Sequence, residues 1–139
     1  MIYERSLVLT PAGLRNLYEL REREEIFSFQ AKKLVINQIF RTFQKKTACI
    51  RSIYAGARDI VTDDAQRFGE SNGHIHYKAA NNVHAGEMLW IVDPEGMGLQ
   101  EVNAVEYRIM RDQIPLMGFR VLHEPYNIIV NGFVCRQDA

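Results

Sequence analysis

The sequence lacks most of the features that place a chain in a functional class at first sight. It has only two cysteines, Cys49 and Cys135, which are too few for a disulfide scaffold. Seventeen basic residues balance seventeen acidic ones, so no net charge attracts nucleic acid or an anionic membrane. No apolar run approaches the roughly 18 residues that span a bilayer, and no secretory signal begins the chain. We therefore expect a soluble protein of the reducing cytoplasm, with no nucleic-acid or membrane partner.

Catalytic and cofactor motifs are equally scarce. There is no glycine-rich phosphate loop and no Ser-His-Asp spacing, and the one pair of adjacent carboxylates is Asp63-Asp64. We expect no cofactor. With 139 residues, 47% of them hydrophobic, the chain is long enough for one substantial core, and no linker divides it. It is interpreted as a single domain, residues 1–139.

Short stretches rich in β-branched and aromatic residues recur along the chain, with turn residues about every ten positions. This pattern predicts an all-β fold of many short and curved strands. The leucines between Leu14 and Leu20 have helical spacing, but the run is too short for more than one or two turns. We predict a break in the long central strand at Lys45-Lys46 and a loop from Gly69 to Gly73.

The strongest local signal is the segment YNIIVNGFVC at residues 126–135. Asn-Gly between apolar runs predicts a two-residue hairpin turn, because both central positions of a type I′ turn need positive φ. A turn at Asn131-Gly132 pairs Val130 with Phe133, Ile129 with Val134 and Ile128 with Cys135. A chain end this apolar must be buried.

The order of these signals resembles the Hint domain shared by hedgehog proteins and inteins. An opening strand Leu7–Thr10 is followed by Gly13, Leu17–Ile26 matches the next segment, and Ala85–Leu89 matches a later glycine-acidic-apolar repeat. The chain closes with V-N-G-F-V at residues 130–134. The resemblance spans nearly the whole chain and implies a horseshoe-shaped β fold with the two chain ends side by side.

The resemblance also implies a self-processing chemistry whose residues are mostly missing. Hint domains use a Cys or Ser at the first position, a Thr-x-x-His element and, in inteins, a terminal His-Asn pair. These positions fall at Met1, at Thr62 with Ala65, and at Arg136 with Gln137. Only the threonine is retained. Met1 has no heteroatom suited to acyl transfer, and we expect no upstream segment to be cleaved.

Three other groups of residues are candidate sites. His74 and His76 lie on one face of a predicted strand, a spacing that can hold zinc, but no pattern recommends the remaining ligands among His84, His123, Cys49 and Cys135. We favour a solvated strand face.

Cys135 is interpreted as a small buried apolar side chain. A reactive thiol remains the alternative, because the neighbouring Arg136 could supply an electropositive environment.

The residues Arg41, Lys45 and Lys46 are interspersed with Phe40 and Phe43, as in nucleic-acid binders, but in a neutral chain a charged strand edge is the better interpretation.

Three hypotheses follow. The first is a degenerate Hint-like domain, not an enzyme, that acts as a structural or protein-binding module, with a protein partner or a larger assembly such as a virion. The second is a self-processing domain whose nucleophile at position 1 is replaced or trimmed. The third is an unrelated β-barrel binding module, which would hold if the two chain ends lay on opposite sides of the domain.

Overall fold

The computed structural model describes residues 1–72 and 74–136, and for residues 71, 72, 74 and 75 it describes the backbone alone. Within these residues the chain forms twelve strands and two 3-10 turns. The strands are β1 (Ile2–Tyr3), β2 (Leu7–Thr10), β3 (Gly13–Asn16), β4 (Glu25–Gln30), β5 (Lys33–Ala55), β6 (Arg58–Thr62), β7 (Arg67–Asn72), β8 (His74–Ala79), β9 (Met88–Asp93), β10 (Gly96–Val121), β11 (Asn127–Val130) and β12 (Phe133–Arg136). The 3-10 turns span Leu17–Glu19 and Ala80–Asn82. The predicted all-β fold is confirmed, and no described helix is long and apolar enough to cross a membrane.

The strands join into one antiparallel sheet organised by its two longest members, β5 and β10, which pair along much of their length. The short β1 lies between β10 and β6, so that Ile2 faces Met117 on one side and Thr62 on the other. Strand β6 then pairs back to β5, with Ile53 opposite Ile60. The first residues of the chain are therefore held in the interior of the sheet, with Ile2 fully buried.

The terminal hairpin has the predicted register. Val130 pairs with Phe133, Ile129 with Val134 and Ile128 with Cys135. The turn residues Asn131 and Gly132 have φ of 50° and 86°, the left-handed values that the Asn-Gly signal requires. All six paired side chains are buried.

The opening strand lies beside this hairpin, as expected. Val8 of β2 pairs with Val130 of β11, and the Asn131 N–H donates to the carbonyl oxygen of Leu7 at 2.8 Å. The Leu7 N–H donates in return to Oδ1 of Asn131, also at 2.8 Å. Sequence-distant parts of the chain are thus joined by backbone pairing, and the expectation of adjacent ends is confirmed.

Two predicted boundaries are wrong. Strand β5 does not break at Lys45-Lys46, because β10 supplies ladder partners there, Leu116 for Lys45 and Pro115 for Lys46. The segment from Gly69 is not a loop: β7 runs through it to Asn72 and pairs with β8. In β5 a long-range strand partner outweighs a polar local sequence, and in β7 the next strand along the chain does so. Gly73, where the predicted loop ended, lies outside the described residues.

The buried side chains form a large cluster and a smaller one. The smaller cluster contains Leu9, Phe29, Trp90, Val92, Ile129 and Val134. The hairpin of β4 and β5 covers it, and Asn127 fixes that hairpin: its Oδ1 accepts from the Phe29 N–H at 2.7 Å and its Nδ2 donates to the Phe29 oxygen at 2.9 Å. The buried amide side chain of Asn127 thus makes the two hydrogen bonds to Phe29 that a neighbouring strand would otherwise make.

Candidate functional site

The first residue of the chain and the end of β12 meet at the segment that follows β6. The Asp63 N–H donates to the carbonyl oxygen of Met1 at 3.1 Å, which extends the pairing of β1 with β6. From the other side, Nε2 of Gln66 donates to the backbone oxygen of Arg136 at 3.1 Å. Residues 62–66 therefore bridge the first residue and the end of β12, and we call this region the end-junction site.

Asp63 is the electrostatic centre of the end-junction site. Its Oδ1 accepts from the Met1 amino group at 2.8 Å and from the Gln66 N–H at 3.0 Å, and its Oδ2 accepts from Lys45 Nζ at 2.5 Å. Burial by itself raises the pKa of Asp63, but the N-terminal ammonium and Lys45 outweigh it, so the net pKa is lowered. Burial also lowers the pKa of the Met1 amine, against the opposing attraction of Asp63. The site thus holds a carboxylate of lowered pKa that accepts from the Met1 amine and from the Lys45 ammonium.

Thr62 and Ala65, the positions matched to the Thr-x-x-His element, have different environments. Thr62 is fully buried, and its hydroxyl donates to the backbone oxygen of Asp63 at 2.9 Å. Ala65 is exposed in the turn between β6 and β7. The residue after it, Gln66, is only 2% exposed, and its Oε1 has no hydrogen-bond partner among the described residues. A side chain at position 66, not 65, therefore reaches the end-junction site.

Gln66 was missed by sequence reasoning. A local signal exists, because an aspartate that accepts the N–H three residues later closes a tight turn and sets which side chains face inward. In the stretch Asp63-Asp64-Ala65-Gln66, that turn leaves the second and third residues exposed and buries the fourth.

Cys135 is fully buried in the centre of β12, between Ile128 of β11 and Phe68 of β7. Burial raises the pKa of the Cys135 thiol strongly, and the nearby N-terminal ammonium opposes this shift only in part. The thiol donates to the backbone oxygen of Phe133 at 3.5 Å. A protonated thiol in such surroundings is a weak nucleophile.

Arg136 is held by the aromatic rings of Tyr77 and Tyr126. Its guanidinium lies 5.2 Å from the ring centroid of Tyr77 and 5.9 Å from that of Tyr126. Burial raises the pKa of Tyr77, and the Tyr77 hydroxyl accepts from Nδ2 of Asn127 at 2.8 Å. Cation–π contacts of this kind fix the side chain in place. Gln137, which follows, lies outside the described residues.

The remaining predicted site residues that the structure describes do not form a common site. His76 is exposed on β8 opposite Glu70 of β7, and the side chain of His74 lies outside the described residues. Among the described residues no group of three His, Cys, Asp or Glu side chains is arranged to hold a metal. Lys45 of the basic and aromatic segment contacts Asp63, whereas Arg41 lies over Phe40 with its guanidinium 5.9 Å from the ring centroid.

The polar groups of the end-junction site are mostly engaged with each other or with the backbone. Among described residues, the site offers one hydroxyl and one thiol as potential nucleophiles, on Thr62 and Cys135, and both donate to backbone carbonyls. Among the side chains that the structure describes here, Oε1 of Gln66 has no hydrogen-bond partner. Chemically, the arrangement can hold charges and orient a donor near Gln66, but it presents no free attacking atom.

Comparison with known proteins shows similarity at the level of structure. No protein-family model and no curated protein matches the sequence. The TvoVMA intein superposes with a TM-score of 0.84 at 14% identity, covering 99% of this chain and 97% of the intein. The DnaB intein from Synechocystis sp. PCC 6803 gives 0.83 at 15% identity, over 99% and 98% of the two chains. A bacterial intein-like domain from Clostridium thermocellum gives 0.82 at 14%, over 99% and 97%. The chain has the Hint fold of these intein domains.

Proposed function

We propose that this chain is a Hint-fold domain that does not process itself and that serves as a structural or protein-binding module, alone or within a larger assembly. The observation that supports this proposal is the composition of the end-junction site. A thioether stands at position 1, a buried thiol of raised pKa lies at Cys135, and Arg136 lies between tyrosine rings. Self-cleavage by acyl transfer needs an ionisable or activated nucleophile against the scissile carbonyl.

One observation favours the alternative, a self-processing domain whose nucleophile at position 1 has been replaced or trimmed. The scaffold around Met1 remains polar: Thr62 is buried next to the β1 pairing, and the buried Gln66 has an Oε1 without a partner among the described residues. Buried polar atoms without a partner are rare in native proteins and often mark a functional position. A nucleophile placed at position 1 could therefore meet groups that are still able to assist it.

The experiment is a fusion in which a folded carrier protein precedes residue 1 and a short tail follows residue 139. Intact-mass spectrometry follows the fusion during incubation with thiol and with hydroxylamine. We expect the parent fusion to remain one species. Release of the carrier from the parent would overturn the proposal.

Matched variants separate the two functions. Met1→Cys restores only the attacking group, and Met1→Cys with Ala65→His or with Gln66→His adds an imidazole at an exposed or at a buried position. Thiol-dependent release from Met1→Cys alone would favour the replaced-nucleophile alternative. If an imidazole assists, Gln66→His should assist more than Ala65→His, because only position 66 faces the site.

A further inference from the structure

A pocket of about 250 Å³ opens at the turn of the terminal hairpin, whereas the end-junction site lies at the hairpin's open end. Strands β2 and β3, the start of β6, the β9–β10 turn and the Asn131-Gly132 turn surround it. Its apolar side is formed by Leu7, Leu9, Leu14, Val92, Pro94 and Ile129. Its polar side is formed by Arg58, Asp59, Asp93 and Asn131. We call it the turn pocket.

Hydrogen bonds hold the floor of the turn pocket in one arrangement. Asn131 exchanges two hydrogen bonds with Leu7 and donates through Nδ2 to the backbone oxygen of Asp59 at 3.0 Å. The oxygen of Gly132 accepts from the Val92 N–H at 2.7 Å. The pocket is therefore preformed and does not need a ligand to assemble it.

The side chains on the apolar side of the turn pocket belong to a row of apolar side chains that runs across neighbouring strands of the sheet. Leu14 pairs with Leu9, and Ile129 pairs with Val134. The inner residues of this row are buried under β4 and β5, but Leu14 is 56% exposed and Leu7 is 40% exposed at the pocket mouth. Since exposed leucines next to a preformed apolar cavity are typical of binding sites, this end of the row is available for a partner.

Charge at the mouth of the pocket favours a cation. Arg58 and Asp93 neutralise each other through an ion pair of 2.6 Å. Asp59 forms no ion pair with any described residue and is exposed. The polar side therefore carries one uncompensated negative charge next to an apolar cavity.

We propose that the turn pocket binds a partner polypeptide through one aliphatic side chain adjacent to a lysine or arginine. The proposal rests on the protein-binding function proposed above and names the partner's chemistry. A volume of about 250 Å³ suits one side chain better than a cofactor, since pockets for drug-sized ligands span roughly 300 to 1,000 Å³. The aliphatic group fills the cavity, and the cation lies against Asp59.

The test uses three capped tetrapeptide amides that differ only at their two central residues, Leu-Lys, Leu-Glu and Ser-Lys. Binding is followed by NMR through the methyl groups of Leu7, Leu14 and Ile129. We expect the Leu-Lys peptide to shift these methyls and to bind about tenfold more tightly than Leu-Glu, since one charge facing one carboxylate is reversed. Ser-Lys should bind more weakly than Leu-Lys, because its side chain leaves the cavity unfilled.

Variants locate the interaction. Asp59→Asn should bring the Leu-Lys and Leu-Glu affinities together, and Leu14→Ser should weaken both. The matched control is Ile109→Ser, which removes a 74% exposed apolar side chain from β10, outside the turn pocket, and should change neither affinity.

Equal binding of the Leu-Lys and Leu-Glu peptides, shifts confined to other methyls, or no shifts at millimolar peptide would each overturn the proposal. These outcomes are independent of the carrier fusion. An intact fusion with no peptide binding would reject the turn pocket alone, whereas a cleaved fusion with pocket binding would reject the absence of self-processing alone.

Discussion

Substitution of Gly132 tests how much the turn of the terminal hairpin contributes to the stability of the protein. Its φ of +86° disfavours any side chain, and a Cβ added there would lie 2.8 Å from Cδ and 3.0 Å from Nε of Arg58. Gly132→Ala therefore has two effects. The left-handed backbone costs about 1 to 2 kcal/mol. The displaced Arg58 loses its ion pair with Asp93, a partly exposed pair that contributes at most about 1 kcal/mol. We expect the free energy of unfolding to fall by about 1 to 3 kcal/mol.

Gly86 supplies the matched control, because its φ is +93° and no heavy atom lies within 4 Å of an added Cβ. Gly86→Ala should show the backbone effect alone, about 1 to 2 kcal/mol. In an Arg58→Ala background, Gly132→Ala should approach that same value. Urea unfolding followed by the fluorescence of Trp90, the sole tryptophan, measures all four variants. Equal losses at the two glycines, or an excess at position 132 that survives Arg58→Ala, would refute the steric argument.

Two further predictions concern the end-junction site. Asp63→Asn should lower the free energy of unfolding by about 1.5 to 3 kcal/mol, because a buried carboxylate bonded to charged donors is removed. The neighbouring Asp64→Asn, which breaks only a surface ion pair, should cost at most about 1 kcal/mol. Since folding lowers the pKa of Asp63, its contribution to the free energy of unfolding is full above the unfolded pKa near 4 and is lost as pH falls through the folded pKa. In urea titrations at several pH values, the free energies of unfolding of the parent and of Asp63→Asn should therefore converge in acid. A difference between them that stays constant with pH would contradict the ion network. In thiol labelling, the exposed Cys49 should react with the native protein and the buried Cys135 only after unfolding, and rapid double labelling would show that the C-terminal strand opens.

Sequence reasoning succeeded where the determining physics is local. Asn131-Gly132 sets the hairpin register by itself, because few residue pairs adopt two successive left-handed conformations at low energy. The short leucine run gave one 3-10 turn, as its length indicated. Both features depend on residues within a few positions of each other.

Two failures were local, because the inward position of Gln66 and the β7–β8 hairpin both depend on nearby residues. The other failures concern contacts between distant residues. The length of β5 depends on β10, which begins only at Gly96, well after β5 ends at Ala55, and no local pattern reveals that Lys46 faces Pro115. Likewise, the pairing of Lys45 with Asp63 joins residues 18 positions apart, and it appears only when β5 and β6 are adjacent. The position of Met1 and Arg136 near residues 62–66 was inferred from a resemblance and not from periodicity.

The proposed loss of self-processing also predicts which position in the end-junction site matters most. Freeing Thr62 or the Gln66 amide for a reaction would sacrifice hydrogen bonds contributing about 0.5 to 1.5 kcal/mol each. A missing acid or base typically lowers a rate by about 10² to 10⁴, equivalent to about 3 to 5 kcal/mol. Neither loss would forbid slow cleavage, whereas a thioether at Met1 removes the covalent route itself. Met1→Cys is therefore the substitution whose result separates a scaffold that has lost only its nucleophile from one whose site has become purely structural.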